Sequence, residues 1–285
     1  MVVGSAASDD LYGDESLTVE GRAPAVVVFP TSTDEVAAVL RQQHSAAQLI
    51  REQLVATDPS IAVWVSTLED AYFTGFSLDE HFGHAKLGLR AAEQGGAAAS
   101  ARIAQDRNAA EITVAAADRR GLFADLAEVM SAMGANVVGA RVYTSRGGQA
   151  LDVFFLQDVA GSPFGCDNPR ILDRLTAALE SAARGEPITL ETRAPVELGR
   201  AAAFSISPSV VLDNDTSADA TVIEASGRDR PGLLAALART LSEAGLSIQS
   251  AHIDAYGERA VDAFYVHDGE ATKLTGGRRM GSIKA

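Results

Sequence analysis

Ala117-Asp118-Arg119-Arg120-Gly121-Leu122-Phe123 returns 111 residues later as Gly227-Arg228-Asp229-Arg230-Pro231-Gly232-Leu233-Leu234. The agreement extends outward from this turn. Each copy opens on a β-rich run, Glu111-Ile112-Thr113-Val114 or Ala220-Thr221-Val222-Ile223. Each continues with about one helix of apolar-periodic sequence, stopped by Gly134 or Gly245, then with alternating strands reaching Asp152-Val153-Phe154-Phe155 and Asp262-Ala263-Phe264-Tyr265. The register slips by one residue near Gly147 and Gly257, where a hairpin turn tolerates a deletion. A β-turn-α-β-β unit in duplicate means two copies of one small domain, a pair suited to clamping something between its members.

Composition sets the bounds. The 285 residues, 47% of them hydrophobic, suffice for two or more small cores. A net charge of −14 argues against nucleic-acid binding, which needs a basic stripe, and Gly277-Arg278-Arg279 is too short to supply one. The single cysteine, Cys166, lies in a Gly/Pro/Asp-rich loop; it excludes an internal disulfide framework and suits a reducing compartment. No signal-peptide pattern opens the chain and no run approaches the ~20 apolar residues of a membrane span. These features predict a soluble, cytoplasmic protein with no membrane partner.

Along the chain, residues 1–41 form a separate N-terminal segment, in which Pro24–Pro30 reads as a short strand and Ser32-Thr33-Asp34-Glu35 as a capping box. Residues 42–101 read as a helical segment, with a turn at Asp58-Pro59-Ser60, helices over 61–68 and 78–93 (the latter capped by Ser77 and Glu80), and a Gly/Ala linker over 95–101. The first repeat domain, 108–200, is expected as strand 111–117, helix 121–133, strands 135–145 and 149–157, and helix 169–183 stopped by Gly185. Short strands are expected near 188–192, 203–206 and 210–212. The second domain, 201–285, gives strand 220–226, helix 231–243 and strands 246–255 and 259–267, and then runs short of a second helix and fourth strand. This predicts dimerisation or partial disorder beyond about Asp268.

The repeat resembles the ACT domain, a ferredoxin-like βαββαβ module that senses amino acids. The expected fold is therefore α+β: two ACT domains, the second C-terminally truncated, preceded by a helical segment. Gly227–Leu234 with Tyr256-Gly257-Glu258-Arg259-Ala260-Val261-Asp262-Ala263-Phe264-Tyr265-Val266 resembles the second ACT domain of the bifunctional PII uridylyltransferase/uridylyl-removing enzyme family. Phe204-Ser205-Ile206-Ser207-Pro208 through Asp213-Asn214 resembles the joint between that family's ACT domains. Asp70-Ala71-Tyr72-Phe73-Thr74-Gly75-Phe76 and His84-Ala85-Lys86-Leu87 resemble the segment ahead of the first. The resemblance covers about residues 42–285. Residues 10–41 are instead similar to the opening of FAD-linked 2-hydroxyacid oxidases, but the flavin-phosphate loop that follows there is replaced by Gln42-Gln43-His44-Ser45.

No catalytic machinery is visible. Asp9 and Asp10 are adjacent, so they cannot share a metal as the spaced pair of a nucleotidyltransferase does. His267-Asp268 ends a strand where the first copy has Gln157-Asp158, which marks His267 as structural. His81 and His84 stand at i, i+3 without a third ligand at metal spacing. No cofactor is expected in this chain; magnesium belongs to the catalytic domains that the resemblance implies elsewhere.

Binding is better supported. A helix N-terminus offers unpaired N–H groups to a ligand carboxylate, so the turns Asp118, Arg120, Gly121, Leu122 and Asp229, Pro231, Gly232, Leu233 are the candidate sites. The glycines allow close backbone approach, the aspartates could receive an ammonium group, Arg120 could contact a carboxylate, and Pro231 pre-organises the second turn. The resemblance adds Asn136, with Ser247 as its counterpart, as a polar grip on the effector. It implies glutamine as ligand, and PII or the full-length enzyme as indirect partners. Two readings stay open: a glutamine sensor, or an ACT module that pairs edge-to-edge in homo-oligomers while Asp118 and Asp229 merely cap their helices.

Overall fold

Within the computed structural model, residues 33–187, 206–217, 219–230, 232–256, 259–268 and 272–274 are described. The expected strand at 24–30, the Ser32 cap, the strand at 188–192, most of that at 203–206, the oxidase-like residues 10–32 and Gly277-Arg278-Arg279 lie outside them.

A helical layer comes first. Helix α1 (Thr33–Thr57) ends where the Asp58 carboxylate accepts the Ser60 N–H at 3.0 Å to start a 3-10 turn, followed by α2 (Ala62–Thr67), α3 (Asp70–Phe73) and α4 (Leu78–Glu93). The capping box at α4 forms as read: Ser77 Oγ accepts from the Glu80 N–H at 3.4 Å, and Glu80 Oε2 accepts from the Ser77 N–H at 2.7 Å. Leu54, Ile61, Trp64, Leu68, Tyr72 and Phe73 bury themselves between these helices.

The rest of the fold is one antiparallel sheet with helices. Its elements are β1 (Ala97–Ala104), β2 (Ala109–Ala117), α5 (Leu122–Ala132), β3 (Asn136–Thr144), β4 (Gln149–Gln157), α6 (Pro169–Ala183), β5 (Ser209–Asp213), β6 (Thr221–Arg228), α7 (Leu233–Glu243), β7 (Ser247–Tyr256) and β8 (Arg259–His267). The eight strands run in the order β1-β2-β4-β3-β7-β8-β6-β5. Strand periodicity assigns the layers. Ala150, Phe154 and Leu156 of β4 join Phe123, Leu126 and Met130 of α5 and Leu175 and Leu179 of α6 on one face, whereas Leu151 joins the helical layer on the other. Strand β2 is buried from Ala109 to Ala116 because both of its faces are covered.

Two expectations are corrected here. Residues 95–101 are not a linker: Gly95 and Gly96 turn the chain, and β1 then pairs with β2 from Ala97↔Ala116 to Ala104↔Ala109. Ala97 and Ala99 pack toward α5 and α6, and Ala98 toward the leading helices, so small side chains suit a strand covered on both faces. Alanine carries little strand propensity of its own, and the pairing is dictated by tertiary contact. The second correction concerns the edges. In each unit the outermost strand precedes the repeat, β1 in the first and β5 in the second. β6, which a missing fourth strand would leave as an edge, is therefore paired with β5. Beyond Asp268, Leu274 is fully buried, its N–H donates to Thr221 Oγ1 at 2.8 Å, and Lys273 Nζ donates to the Asn214 carbonyl at 2.7 Å. No counterpart of α6 occurs among the described residues of the second unit.

The units join edge to edge. β3 and β7 pair antiparallel from Gly139↔Asp254 to Tyr143↔Ser250, and Arg141 Nη2 lies 3.2 Å from Asp254 Oδ1 across that seam. Helix α7 packs beside α5, where Arg239 meets Glu128 and the Phe123 and Phe264 rings approach edge-on at 6.4 Å.

Candidate functional site

Two clefts flank the seam, and each takes walls from both units. In the first, the turn Asp118–Leu122 of unit one faces Ala238, Ser242, Leu246 and Ile248 of unit two. In the second, the turn Asp229–Leu233 of unit two faces Ala127, Ser131, Ala135 and Asn136 of unit one. The sequence repeat explains this exchange: antiparallel pairing of β3 with β7 lays each helix N-terminus beside the C-terminal end of the other helix.

The turns are built alike. Gly121 and Gly232 have φ of 86° and 79°, a left-handed backbone that glycine adopts without strain. The Leu122 N–H donates to the Arg119 carbonyl at 3.1 Å, as that of Leu233 does to Arg230 at 3.0 Å. A Cβ on Gly121 would stand 3.2 Å from Ser242 Oγ, and one on Gly232 would stand 3.2 Å from Ser131 Oγ, so the neighbouring helix passes each turn closely. The first helical turns, Phe123 and Ala124 or Leu234 and Ala235, line the clefts and present the N–H ends of α5 and α7, where the helix dipole favours an anion.

Carboxyls line both clefts as well. Asp118 and Asp229 are both raised above the ordinary carboxylate range by desolvation, which outweighs the backbone N–H of Arg119 on Asp118, and the Asn136 amide and the N–H of Arg230 on Asp229. Asp118 is nonetheless exposed at the cleft mouth. Deeper in lie Asp152 of β4 and Asp262 of β8, each 2% exposed and each with an Oδ1 that has no partner among the described residues. Burial, with Asp118 next, pushes Asp152 well up; burial, with Asp229 and Asp254, pushes Asp262 up to about 7.

The structure brings Asp118, Gly121 and Leu122 into one cleft and Asp229, Gly232, Leu233 and Asn136 into the other. Asn136 thus serves the turn of the other copy. Ser247 does not join the cleft lining, which passes through its neighbours Leu246 and Ile248; it pairs instead with His267 at the start of β7. Arg120 is exposed and off the lining, which carries Arg119 instead, held by Asp125 Oδ2 and the Ala182 carbonyl, both at 2.7 Å. Pro231 lies outside the described residues. Sequence reading passed over Asp152, Asp262, Ser131 and Ser242. The available signal was equivalence between repeats: each aspartate interrupts the helix-facing apolar row of its strand, as Ala150-x-Asp152-x-Phe154 and Ala260-x-Asp262-x-Phe264.

His81 and His84 are buried in an aromatic cluster rather than turned to a ligand. Tyr72 Oη and His84 Nδ1 lie 3.0 Å apart, His81 Nε2 lies 3.3 Å from the Phe73 carbonyl, and burial lowers His84 to about 3. Among the described residues no group of three or more His, Cys, Asp or Glu side chains could hold a metal, and no helix is long and apolar enough to cross a membrane.

Comparison with known proteins agrees with this architecture. The ACT domain family matches residues 221–275. The bifunctional uridylyltransferase/uridylyl-removing enzyme of Caulobacter vibrioides (strain NA1000 / CB15N) is 59% identical over 253 residues, 89% of this chain and 27% of that protein. Its namesake in Phenylobacterium zucineum (strain HLK1) is 58% identical over the same shares. Aspartate kinase from Synechocystis overlays with a TM-score of 0.32 at 22% identity, covering 56% of this chain and 24% of that one, too loosely to carry an argument. The chain therefore holds an ACT domain in its second unit, its close relatives are bifunctional uridylyltransferase/uridylyl-removing enzymes, and it spans 27% of the length of those relatives.

Proposed function

We propose that this chain is the amino-acid-sensing portion of a uridylyltransferase/uridylyl-removing enzyme, and that its two inter-unit clefts bind glutamine. One observation carries the reading: each cleft brings a helix N-terminus together with carboxyls of the turn and of the sheet, so one site offers both an anion-binding end and a cation-binding end. A free amino acid carries those two charges on one carbon. Because each cleft draws on both units, a bound ligand favours one angle between them, and preferential binding to one arrangement is what a regulatory signal requires. In the full-length enzyme that signal would bias uridylylation against deuridylylation of PII in nitrogen regulation, in the cytoplasm, with the magnesium chemistry supplied by the catalytic domains.

Isothermal titration of the chain with L-glutamine, against L-glutamate, tests the reading. Saturable heat with glutamine that weakens in Asp118→Ala or Asp229→Ala supports it. No heat at millimolar glutamine, from protein shown to be folded, refutes it. An oligomerisation module is the second reading, favoured by one observation: the face of β7 and β8 away from the helices carries His252 and Tyr265, and the leading helices that cover the first unit pack on β1 and β2 instead.

A further inference from the structure

The deep carboxyls of Asp152 and Asp262 have no structural task that explains them. Each occupies the centre of a sheet, at paired positions (Val114 and Val142 flank Asp152; Ala225 and Ile253 flank Asp262), where an apolar residue would fill the same space. A buried polar group without a partner costs about 1–3 kcal/mol. Here the cost is incurred twice, at equivalent sites, and in both the group lines a cleft already flanked by a helix N-terminus. Each cleft has about 20 Å³ open to the centre of a water-sized group. About 10–15 Å³ suffices for a water, and an ammonium group is of similar size.

We propose that Asp152 and Asp262 are the cation-accepting floors of the two clefts, each receiving the primary ammonium group of the ligand and giving up its own proton to solvent. This rests on the amino-acid-sensing reading and deepens it by assigning the contact that selects a primary amine. The exchange balances: a neutral carboxyl and an ammonium become a carboxylate–ammonium pair and a released proton.

The charged neighbours support the exchange. Facing Asp262 are Asp229 and Arg230 of the turn and Asp254 of β7, the last paired with Arg141; α5 contributes only the neutral Ser131 and α7 only apolar side chains. Facing Asp152 are Asp118 and Arg119 of the turn, the latter engaged by Asp125, while α7 contributes Ser242. With a second carboxyl beside it, each floor aspartate holds its proton above the ordinary carboxylate range, Asp262 up to about 7, and an incoming cation favours the ionised form.

The test uses two probes on the full chain. Methylammonium, against tetramethylammonium, is titrated about one pH unit below 7, where the Asp262 carboxyl still holds its proton, while the carboxyl carbons of the aspartates are followed by NMR. Glutamine binding is then measured calorimetrically in buffers of different ionisation enthalpy, with Asp262→Asn and Asp152→Asn beside the parent chain. We expect methylammonium alone to ionise the two floor carboxyls, proton release on glutamine binding, and a loss of affinity of about tenfold or more in each variant at its own cleft. Glutamine binding without proton release, unchanged in both variants, would overturn the proposal while leaving the sensor reading intact. A response to methylammonium with no glutamine binding would keep the proposal and refute glutamine as ligand. Indifference to both probes would overturn both.

Discussion

Replacing Asp262 by asparagine should stabilise the fold, increasingly so as pH rises. The carboxyl ionises near 3.8 when free and is pushed up to about 7 in the folded chain, by burial first and then by Asp229 and Asp254. The folded state therefore holds a proton that the unfolded state has lost throughout that interval. Stability contributed by this group is full below about pH 4 and falls as pH climbs toward 7. A displacement of about three pH units at about 1.4 kcal/mol each gives an upper value of about 4 kcal/mol, and solvent near Asp229 and Asp254 trims the expectation to about 2–4 kcal/mol. Asparagine keeps the shape and cannot ionise. Guanidinium unfolding of both proteins at several values between about pH 4 and pH 8 isolates the effect, because the remaining titrations cancel in the difference. The variant should gain steadily on the parent up to about pH 7 and hold its advantage above it. Stability curves that run parallel within about 0.5 kcal/mol would refute the reasoning.

Three further outcomes are expected. Gly232→Ala and Gly121→Ala each force a Cβ onto a left-handed backbone 3.2 Å from a serine Oγ, and should cost about 1–3 kcal/mol in denaturant titrations; removing the serine as well should recover only part of it. Gly88→Ala places a Cβ 2.6 Å from the Trp64 ring, so the fluorescence of the chain's single tryptophan should shift and its melt should come earlier, by about 1–3 kcal/mol. His84, lowered to about 3 by burial, should stay neutral in NMR titrations to about pH 4, and the unfolded chain's greater proton uptake should weaken the leading helical layer as pH falls below about 6.5.

Much of the fold was legible because its signals are local. Strands 149–157 and 259–267 and helices 78–93 and 169–183 coincide with the observed elements, since alternation, the Ser77–Glu80 box and the Gly185 stop all act within a few residues. What escaped was set at a distance. The strand at Ala97–Ala104 looks like a linker until β2 pairs with it and helices close on both sides. The outer strand β5 was recognised as a strand but not as the partner of β6. In the site, the turns can be read, but periodicity says nothing about how two copies meet, so neither the placing of Asn136 beside the turn of the other copy nor that of Arg119 on the lining is legible in the sequence. Asp152 and Asp262 fit a strand rhythm well enough to pass unnoticed; only their burial gives them away.

The seam between β3 and β7 is five residue pairs wide, from Gly139↔Asp254 to Tyr143↔Ser250. Both clefts draw walls from either side of that one seam. On the proposed reading, an occupant of either cleft would bear on that same seam, so the two sites would be coupled through one set of strand pairs rather than acting separately.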